Sequence, residues 1–309
     1  MDAGPQSTAA RLFDAMADEY DVLEPWYEHL YAQLHAILTT HLAPQSRACR
    51  PAPARARVQT EHGGRAAAGP DSLRAADARL RALDAGCGHG AQTTLLRALG
   101  YETHGVDIAP RLLALARRRV PDAALARADL VALPYGDAVF DVVSCAGSTL
   151  SFVDDPDAAL RELARVLRPG GRLLLECEHK WSLDLGWTLA SALTGDAIGY
   201  GVSLSTLARA LRAPLHASIA LPYPDYGTMT LFSGRDLRRR LAAVGLSWER
   251  AWGIHAMTNV IPSTLLHRPR VPWALARLYR ALRRVDAALG ASAPARALGN
   301  SLVVLAVRA

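Results

Sequence analysis

Leu80-Arg81-Ala82-Leu83-Asp84-Ala85-Gly86-Cys87-Gly88-His89-Gly90 is a short apolar run that ends in three alternate glycines, and a helical pattern follows from Ala91 to Leu99. Glycines in such a turn let a ligand approach the backbone closely, and the first turn of the following helix offers free N–H groups. Gly86 to Ala91 also fits the loose dinucleotide pattern G-x-G-x-x-G/A. Asp107 closes the next apolar run, at the position where a carboxylate meets ribose hydroxyls. Taken alone, these features leave NAD and other adenosine ligands open. Outward from the turn, short apolar runs alternate with helical patterns from Leu80 to Glu178, which predicts a parallel sheet with helices on both faces.

Before the turn, Leu12, Phe13, Met16, Leu30, Leu34, Ile37 and Leu38 recur at helical spacing, with Pro25 as a break. Residues 1–43 therefore read as an N-terminal helical cap. Residues 44–78 are rich in Pro, Ala, Gly and Arg and read as a linker or disordered insert; its deletion is expected to leave ligand binding intact. The main domain spans 79–309. Within it, residues 179–232 form an apolar, Gly- and Pro-punctuated insertion of the kind that makes lids. The rhythm then resumes with a helix from Gly234 to Val244, a strand over Leu246 to Trp252, an excursion from Gly253 to Pro294, and a closing strand Ser301 to Val307.

Four segments resemble the class I S-adenosylmethionine-dependent methyltransferases, especially the branch of the ubiquinone/menaquinone-biosynthesis C-methyltransferases. They are Leu83 to Gly90; Gly105-Val106-Asp107-Ile108; Ala128-Asp129-Leu130 with Leu133-Pro134-Tyr135 and Phe140-Asp141-Val142-Val143; and Leu167-Arg168-Pro169-Gly170-Gly171. Phe13 to Asp21 is similar to the N-terminal segment of the same branch. The resemblance implies an α/β fold: a Rossmann-like, doubly wound seven-stranded sheet with its last strand antiparallel, an N-terminal helical cap and a lid insertion.

It also implies the cofactor, S-adenosyl-L-methionine, and a set of contacts. Gly86 and Gly88 should admit the ligand against the backbone. Asp84 should orient its amino group, an anion facing an ammonium. Asp107 should accept both ribose hydroxyls while Ile108 packs on the adenine. Asp129 should accept the adenine amine, and Leu130 should lend its N–H to the ring. Ala146 and Gly147 should pass beneath the methionine part, and Tyr20 should close over the cofactor. NAD fits less well, because Asp84 would repel a pyrophosphate at the helix N-terminus.

Methyl transfer from a sulfonium is an in-line displacement that needs alignment and a water-poor site. A base is required only for some acceptors. His179 and His255, just beyond two sheet strands, are the candidate bases, since ligands in open α/β sheets gather at the carboxyl ends of strands. Ser148 and Ser151 lie where the acceptor should approach, although either also suits a helix cap. Trp181, Trp187, Tyr200, Tyr223 and Tyr226 in the lid suit an apolar or aromatic acceptor, or the lid's own core. The expected reaction is C- or O-methylation of a small apolar or aromatic metabolite.

The 309 residues are 50% hydrophobic and 21% charged, enough for a sizeable core. The net charge of +6 comes with a single lysine, Lys180, among many arginines, which reads as genomic composition more than as a polyanion site. Nucleic acid is therefore not the expected partner, and position 145 onward reads Cys-Ala-Gly-Ser where many base-amine methylating enzymes carry Asn/Asp-Pro-Pro-Tyr. Cys49, Cys87, Cys145 and Cys177 lack the paired short spacings of a zinc site, so no metal is expected. The acidic, polar N-terminus lacks the character of a signal peptide, and a cytoplasmic location is expected. Residues 271–289 form an amphipathic, arginine-rich helix that suits peripheral membrane contact or packing on a partner. A noncatalytic methyltransferase-like binding module, and a nucleic-acid methyltransferase, remain as alternatives.

Overall fold

The computed structural model describes residues 8–17, 25–44, 79–195, 198, 200–223, 227–266 and 271–309. Tyr20, Tyr226, Cys49 and the insert beyond residue 44 lie outside them. The strands are β1 (Arg81–Ala85), β2 (Glu102–Asp107), β3 (Ala124–Arg127), β4 (Phe140–Cys145), β5 (Leu167–Glu178), β6 (Ile219–Tyr223), β7 (Gly227–Leu231), β8 (Leu246–Ile254) and β9 (Ser301–Arg308). Seven of them form one sheet in the order β3-β2-β1-β4-β5-β9-β8. Strand β9 runs antiparallel to both neighbours, as the resemblance implies.

The strands are apolar on both faces, and their alternation divides the core into two layers. Leu83, Val143, Leu173, Leu175, Leu302 and Val304 point to one side. There they meet helices α5 (Pro156–Val166) and α8 (Gly234–Ala243) through Leu160, Leu163, Leu237 and Leu241. Ala82, Val142, Leu174, Val303 and Leu305 point to the other, against α3 (Ala91–Ala98) and α2 (Pro25–Leu42), where Leu30, Leu34, Ile37, Leu38 and Leu42 make one stripe. The N-terminal helix α2 is thus a layer of the sheet domain. Each fully buried leucine here is worth on the order of 1.5–3 kcal/mol, and Leu34→Ala would cost about 2–5 kcal/mol through the cavity it leaves.

Helices α1 (Thr8–Met16) and α4 (Pro110–Arg119) meet at the carboxyl end of the sheet. Arg111 N donates to Asp14 Oδ1 at 2.9 Å. The insertion 179–232 contains α6 (Leu183–Thr194), α7 (Leu204–Ala210) and the antiparallel pair β6 and β7. Its own core comprises Val202, Leu207, Ile219, Leu221, Tyr223 and Leu231. Tyr200 and Tyr223 pack edge-on at 5.1 Å, while Trp181 is exposed and Trp187 Nε1 donates to the Asn259 carbonyl.

Beyond β8 come α9 (Ser263–Leu266), α10 (Trp273–Leu289) and α11 (Ala293–Leu298). The large apolar residues of 271–289 divide between two environments. Val271, Leu275 and Leu282 join Tyr279, Trp26, Ile261 and Leu266 in a small core, whereas Trp273, Leu278, Val285 and Leu289 are exposed. Among the described residues no helix is long and apolar enough to cross a membrane.

Candidate active site

The glycine turn is a built structure with little freedom. Gly86 N and Cys87 N both donate to the Val106 carbonyl, at 2.8 and 2.9 Å, which pins the turn to the neighbouring strand. Gly86 takes φ 80° and Gly88 φ 49°, left-handed values that a side chain resists. At Gly86 a Cβ would also lie 2.4 Å from the Thr149 side chain. Asp107, at the end of β2, braces the turn from the other side. Its Oδ2 accepts from Gly88 N at 2.7 Å and its Oδ1 from Ala109 N at 2.9 Å. Burial raises the Asp107 pKa and these backbone bonds oppose the rise.

The structure gathers Gly86, Gly88, Asp107, Ile108, Asp129, Leu130 and Ala146 around one cavity. Ile108, Leu112, Leu130 and Val131 supply an apolar wall, and Asp129, whose Oδ1 accepts from Val131 N at 3.2 Å, stands at the same end. Asp84 does not line the cavity. It is buried under the turn, where Thr93 Oγ1 donates to Oδ2 at 2.7 Å and Oδ1 has no partner among the described residues. Burial pushes its pKa up to about 7.

Other lining residues carried no strong signal in the sequence. Tyr31 from α2 and Phe13 from α1 close the cavity, Phe13 packing edge-on against Phe152 at 5.2 Å. Phe13 stands in the quoted N-terminal segment, but helical periodicity alone could not separate it or Tyr31 from core positions. His89 is buried and lines the cavity, and so does Gln92, which accepts from Ser144 Oγ at 2.8 Å. Cys87 lines it too, with burial driving its thiol far above the ordinary range.

A second cavity adjoins the first, sharing Phe13, Tyr31, Gly147 and Phe152 with it. Trp26, Tyr27, Tyr200 and Tyr223 give it an aromatic lining, and Ser148, Glu178, Asp184 and Asn300 give it polar groups. Glu178 Oε1 accepts from Ser148 Oγ at 2.7 Å and Oε2 from Asn300 Nδ2 at 2.9 Å. Behind it, the fully buried Glu176 accepts from Ser148 N at 2.6 Å. Ser148 itself takes φ 59°, a costly conformation for a residue with a Cβ, held by these two carboxylates. Ser151 caps nothing here; its Oγ accepts from Glu178 N at 3.0 Å.

Neither histidine proposed as a base lines either cavity. His179 follows Glu178 directly, and successive residues of an extended chain point to opposite sides. Its Nδ1 lies 3.2 Å from the Gly299 carbonyl, and burial lowers its pKa to about 4. His255 is fully buried, with Nδ1 2.9 Å from Thr258 Oγ1 and its ring stacked on Trp26 at 3.6 Å. It backs the second cavity's wall through Trp26. The carboxyl end of β5 does present a titratable group to the cavity, and that group is Glu178.

Residues 83–175 match the family model described as a methyltransferase domain. Malonyl-[acyl-carrier protein] O-methyltransferase of Enterobacter lignolyticus is 39% identical over 209 residues, covering 61% of this chain and 82% of that protein. The chain belongs to the methyltransferase family. Demethylmenaquinone methyltransferase of Thermus thermophilus is 44% identical over 101 residues, 31% of this chain and 46% of that protein. The chain thus spans under half the length of that relative. An S-adenosylmethionine-dependent methyltransferase of known structure from Thermotoga maritima shares the fold, with a TM-score of 0.51 at 17% identity over 97% of this chain and 100% of its own.

The cofactor of this methyltransferase is S-adenosylmethionine, and the residues of the first cavity fit it. The unpartnered Asp84 oxygen, buried beneath the turn and outside the cavity wall, is an acceptor that an ammonium above it would draw into its ionised form and that a pyrophosphate would not. The Gly86–Gly88 turn presents bare backbone to the cavity, and at Gly86 both the left-handed φ and the Thr149 contact resist a side chain. Asp107 keeps acceptor capacity for hydroxyl donors beside its backbone bonds from Gly88 N and Ala109 N.

Proposed function

We propose that the first cavity holds S-adenosylmethionine and that the second admits a small apolar or aromatic metabolite for methylation at carbon or oxygen. The observation that carries this reading is the adjacency of the two cavities. They share Phe13, Tyr31, Gly147 and Phe152, so an acceptor in the aromatic cavity would lie against the methionine end of the cofactor. The bound cofactor supplies an electrophilic methyl group on a sulfonium. The chain's contribution is to hold both partners in line and exclude water, and such positioning can account for roughly 7–11 kcal/mol of barrier.

In residue terms, Asp107 would accept the ribose hydroxyls, Ile108 and Leu130 would flank the adenine, Asp129 would accept its amine, and Asp84 would face the amino group directly or through water. Glycines 86 and 88 and Ala146 would let the ligand rest on backbone. The aromatic lining of the second cavity favours turnover over a purely noncatalytic module, because a module needs no second cavity. A cytoplasmic location forms part of this reading. So does peripheral contact of the exposed α10 row, Trp273, Leu278, Val285 and Leu289 with Arg277, Arg280 and Arg284, with an anionic membrane surface, which sedimentation with anionic and neutral vesicles would test.

Calorimetric titration with S-adenosylhomocysteine, with NADH as control, tests the cofactor site. Micromolar binding that Asp107→Ala weakens is the expected outcome. Two hydrogen bonds to a charged acceptor, at about 1.5–3 kcal/mol each, set the loss at roughly 10²–10⁴-fold. Binding of NADH in place of S-adenosylhomocysteine would sink the assignment.

A further inference from the structure

The second cavity is acidic and has no counter-charge. Glu178 and Asp184 line it, and among the described residues around it there is no lysine, arginine or histidine. Asp184 is tied to Ser263 Oγ at 2.9 and 3.0 Å, and that hydroxyl bonds Tyr200 at 2.6 Å. Glu178 stands at the carboxyl end of β5, the end of an open α/β sheet where ligands gather. Through Ser148 it is one hydrogen bond from the Gly147 turn that both cavities share.

We propose that Glu178 is the catalytic residue that takes the acceptor's proton, and that the acceptor is an uncharged aromatic hydroxyl compound of the phenol type. This inference rests on the reading of the two cavities as cofactor and acceptor sites. A carboxylate acceptor would enter beside two acids with no cationic side chain among the described lining residues to offset the repulsion. A hydroxyl can donate a hydrogen bond to Glu178, whereas an unactivated C–H cannot, so oxygen is favoured over carbon. The aromatic lining fits the ring. In the reacting step the acceptor's O–H proton passes to the Glu178 carboxylate as the oxygen lone pair forms the O–CH₃ bond. The S–CH₃ bond breaks and its electron pair stays on sulfur. Glu178 then returns the proton to solvent.

The electrostatic setting suits that task. Burial, Glu176 and Asp184 raise the Glu178 pKa, the Ser148 and Asn300 hydrogen bonds lower it, and the balance stands at about 8. Tyr27, Tyr31, Tyr200 and Tyr223 also face the cavity, and burial raises the last two well above the ordinary tyrosine range. A base with a pKa near the working pH is the most effective one. A positive charge in the adjoining cavity would favour ionised Glu178, and a neutral thioether would not. Ligands identical except for the sulfonium should therefore differ in the protons they release.

The test titrates the full chain with S-adenosylmethionine and with S-adenosylhomocysteine at pH 7.5, in phosphate and in Tris. The two ligands share the amino group, so its ionisation largely cancels between them. S-adenosylmethionine is expected to release more protons, by up to about three quarters of one for a group with a pKa of about 8. Glu178→Gln should erase the difference while keeping S-adenosylhomocysteine affinity within about threefold. If that variant fails to fold, Asn300→Ala, which removes a bond to ionised Glu178, should move the proton release to higher pH. Equal release by both ligands in the wild type, or a difference that survives Glu178→Gln, would overturn the inference and leave the cofactor reading standing. Absence of binding by either ligand would overturn both. For the acceptor, at pH 9, where Glu178 is largely ionised, phenol should quench the tryptophan fluorescence of the S-adenosylhomocysteine complex at about tenfold lower concentration than benzoate. Equal or tighter binding of benzoate would overturn the acceptor class.

Discussion

Gly86→Ala separates the shape of the glycine turn from its mere compactness. The substitution carries two costs. A left-handed backbone with φ 80° penalises any Cβ, by about 1–2 kcal/mol. The new Cβ also lies 2.4 Å from both Cγ2 and Oγ1 of Thr149 and 2.9 Å from its Cβ, an overlap worth roughly 1–3 kcal/mol. Together they predict a loss of about 2–5 kcal/mol. Only the second part depends on Thr149.

Thr149→Ala removes two of the three clashing atoms. It also forfeits the bond from Oγ1 to the Ala146 carbonyl at 2.8 Å, so alone it should cost about 0.5–1.5 kcal/mol. In the double variant the overlap is largely relieved, and the combined loss should fall short of the sum by about 1–3 kcal/mol. Urea denaturation of the four proteins reads this coupling from the midpoints, provided the slopes agree. S-adenosylhomocysteine titration adds a second reading, since the turn and Thr149 both line the first cavity. Additive losses within about 0.5 kcal/mol would refute the claim that Gly86 is required by its contact with Thr149.

Three further outcomes are expected. Asp84→Asn should stabilise the ligand-free protein at pH 8 and lose that advantage on acidification. The folded state holds the Asp84 proton up to about pH 7 and the unfolded chain releases it near 3.8, so this group's stabilisation falls as pH rises between the two, by at most about 4 kcal/mol; thermal melts at pH 4 and pH 8 measure it, and equal shifts at both would count against it. His179→Asn should lower stability yet leave the pH profile of turnover in place, because the ring serves the Gly299 carbonyl and faces neither cavity; a lost basic limb would reinstate it as the base. Phe13→Ala should weaken S-adenosylhomocysteine binding about tenfold through loss of the lid over both cavities and of the Phe152 edge contact, worth about 0.5–1.5 kcal/mol; unchanged affinity by calorimetry would show α1 to be a bystander.

What the sequence made legible was whatever the backbone pattern enforces. Strand and helix alternation, the glycine turn and the acid closing β2 are local, and each recurs where expected: Asp107 at the end of β2, the helix from Ala91, the last strand antiparallel. The first cavity inherits that legibility because six of its expected residues sit on the turns after β1, β2, β3 and β4. Phe13 and Tyr31 escaped because they reach the cavity only through the packing of α1 and α2 over the sheet, and packing leaves no spacing signature.

The second cavity was less legible. Position in the chain pointed to the residues just beyond β5 and β8, and histidine was preferred there because its ordinary pKa lies near neutrality. Side-chain direction decides instead. Glu178 and His179 are neighbours, so one faces the cavity and the other packs against the Gly299 carbonyl. Environment then reverses the intrinsic order of the two: burial takes the histidine down to about 4, and burial beside Glu176 takes the glutamate up to about 8. A glutamate to which the sequence reading assigned no role is, in its place, the group nearer to neutral titration. That exchange depends on a one-residue register and on a second carboxylate two positions earlier on the same strand, and both become visible only once β5 is seated between β4 and β9.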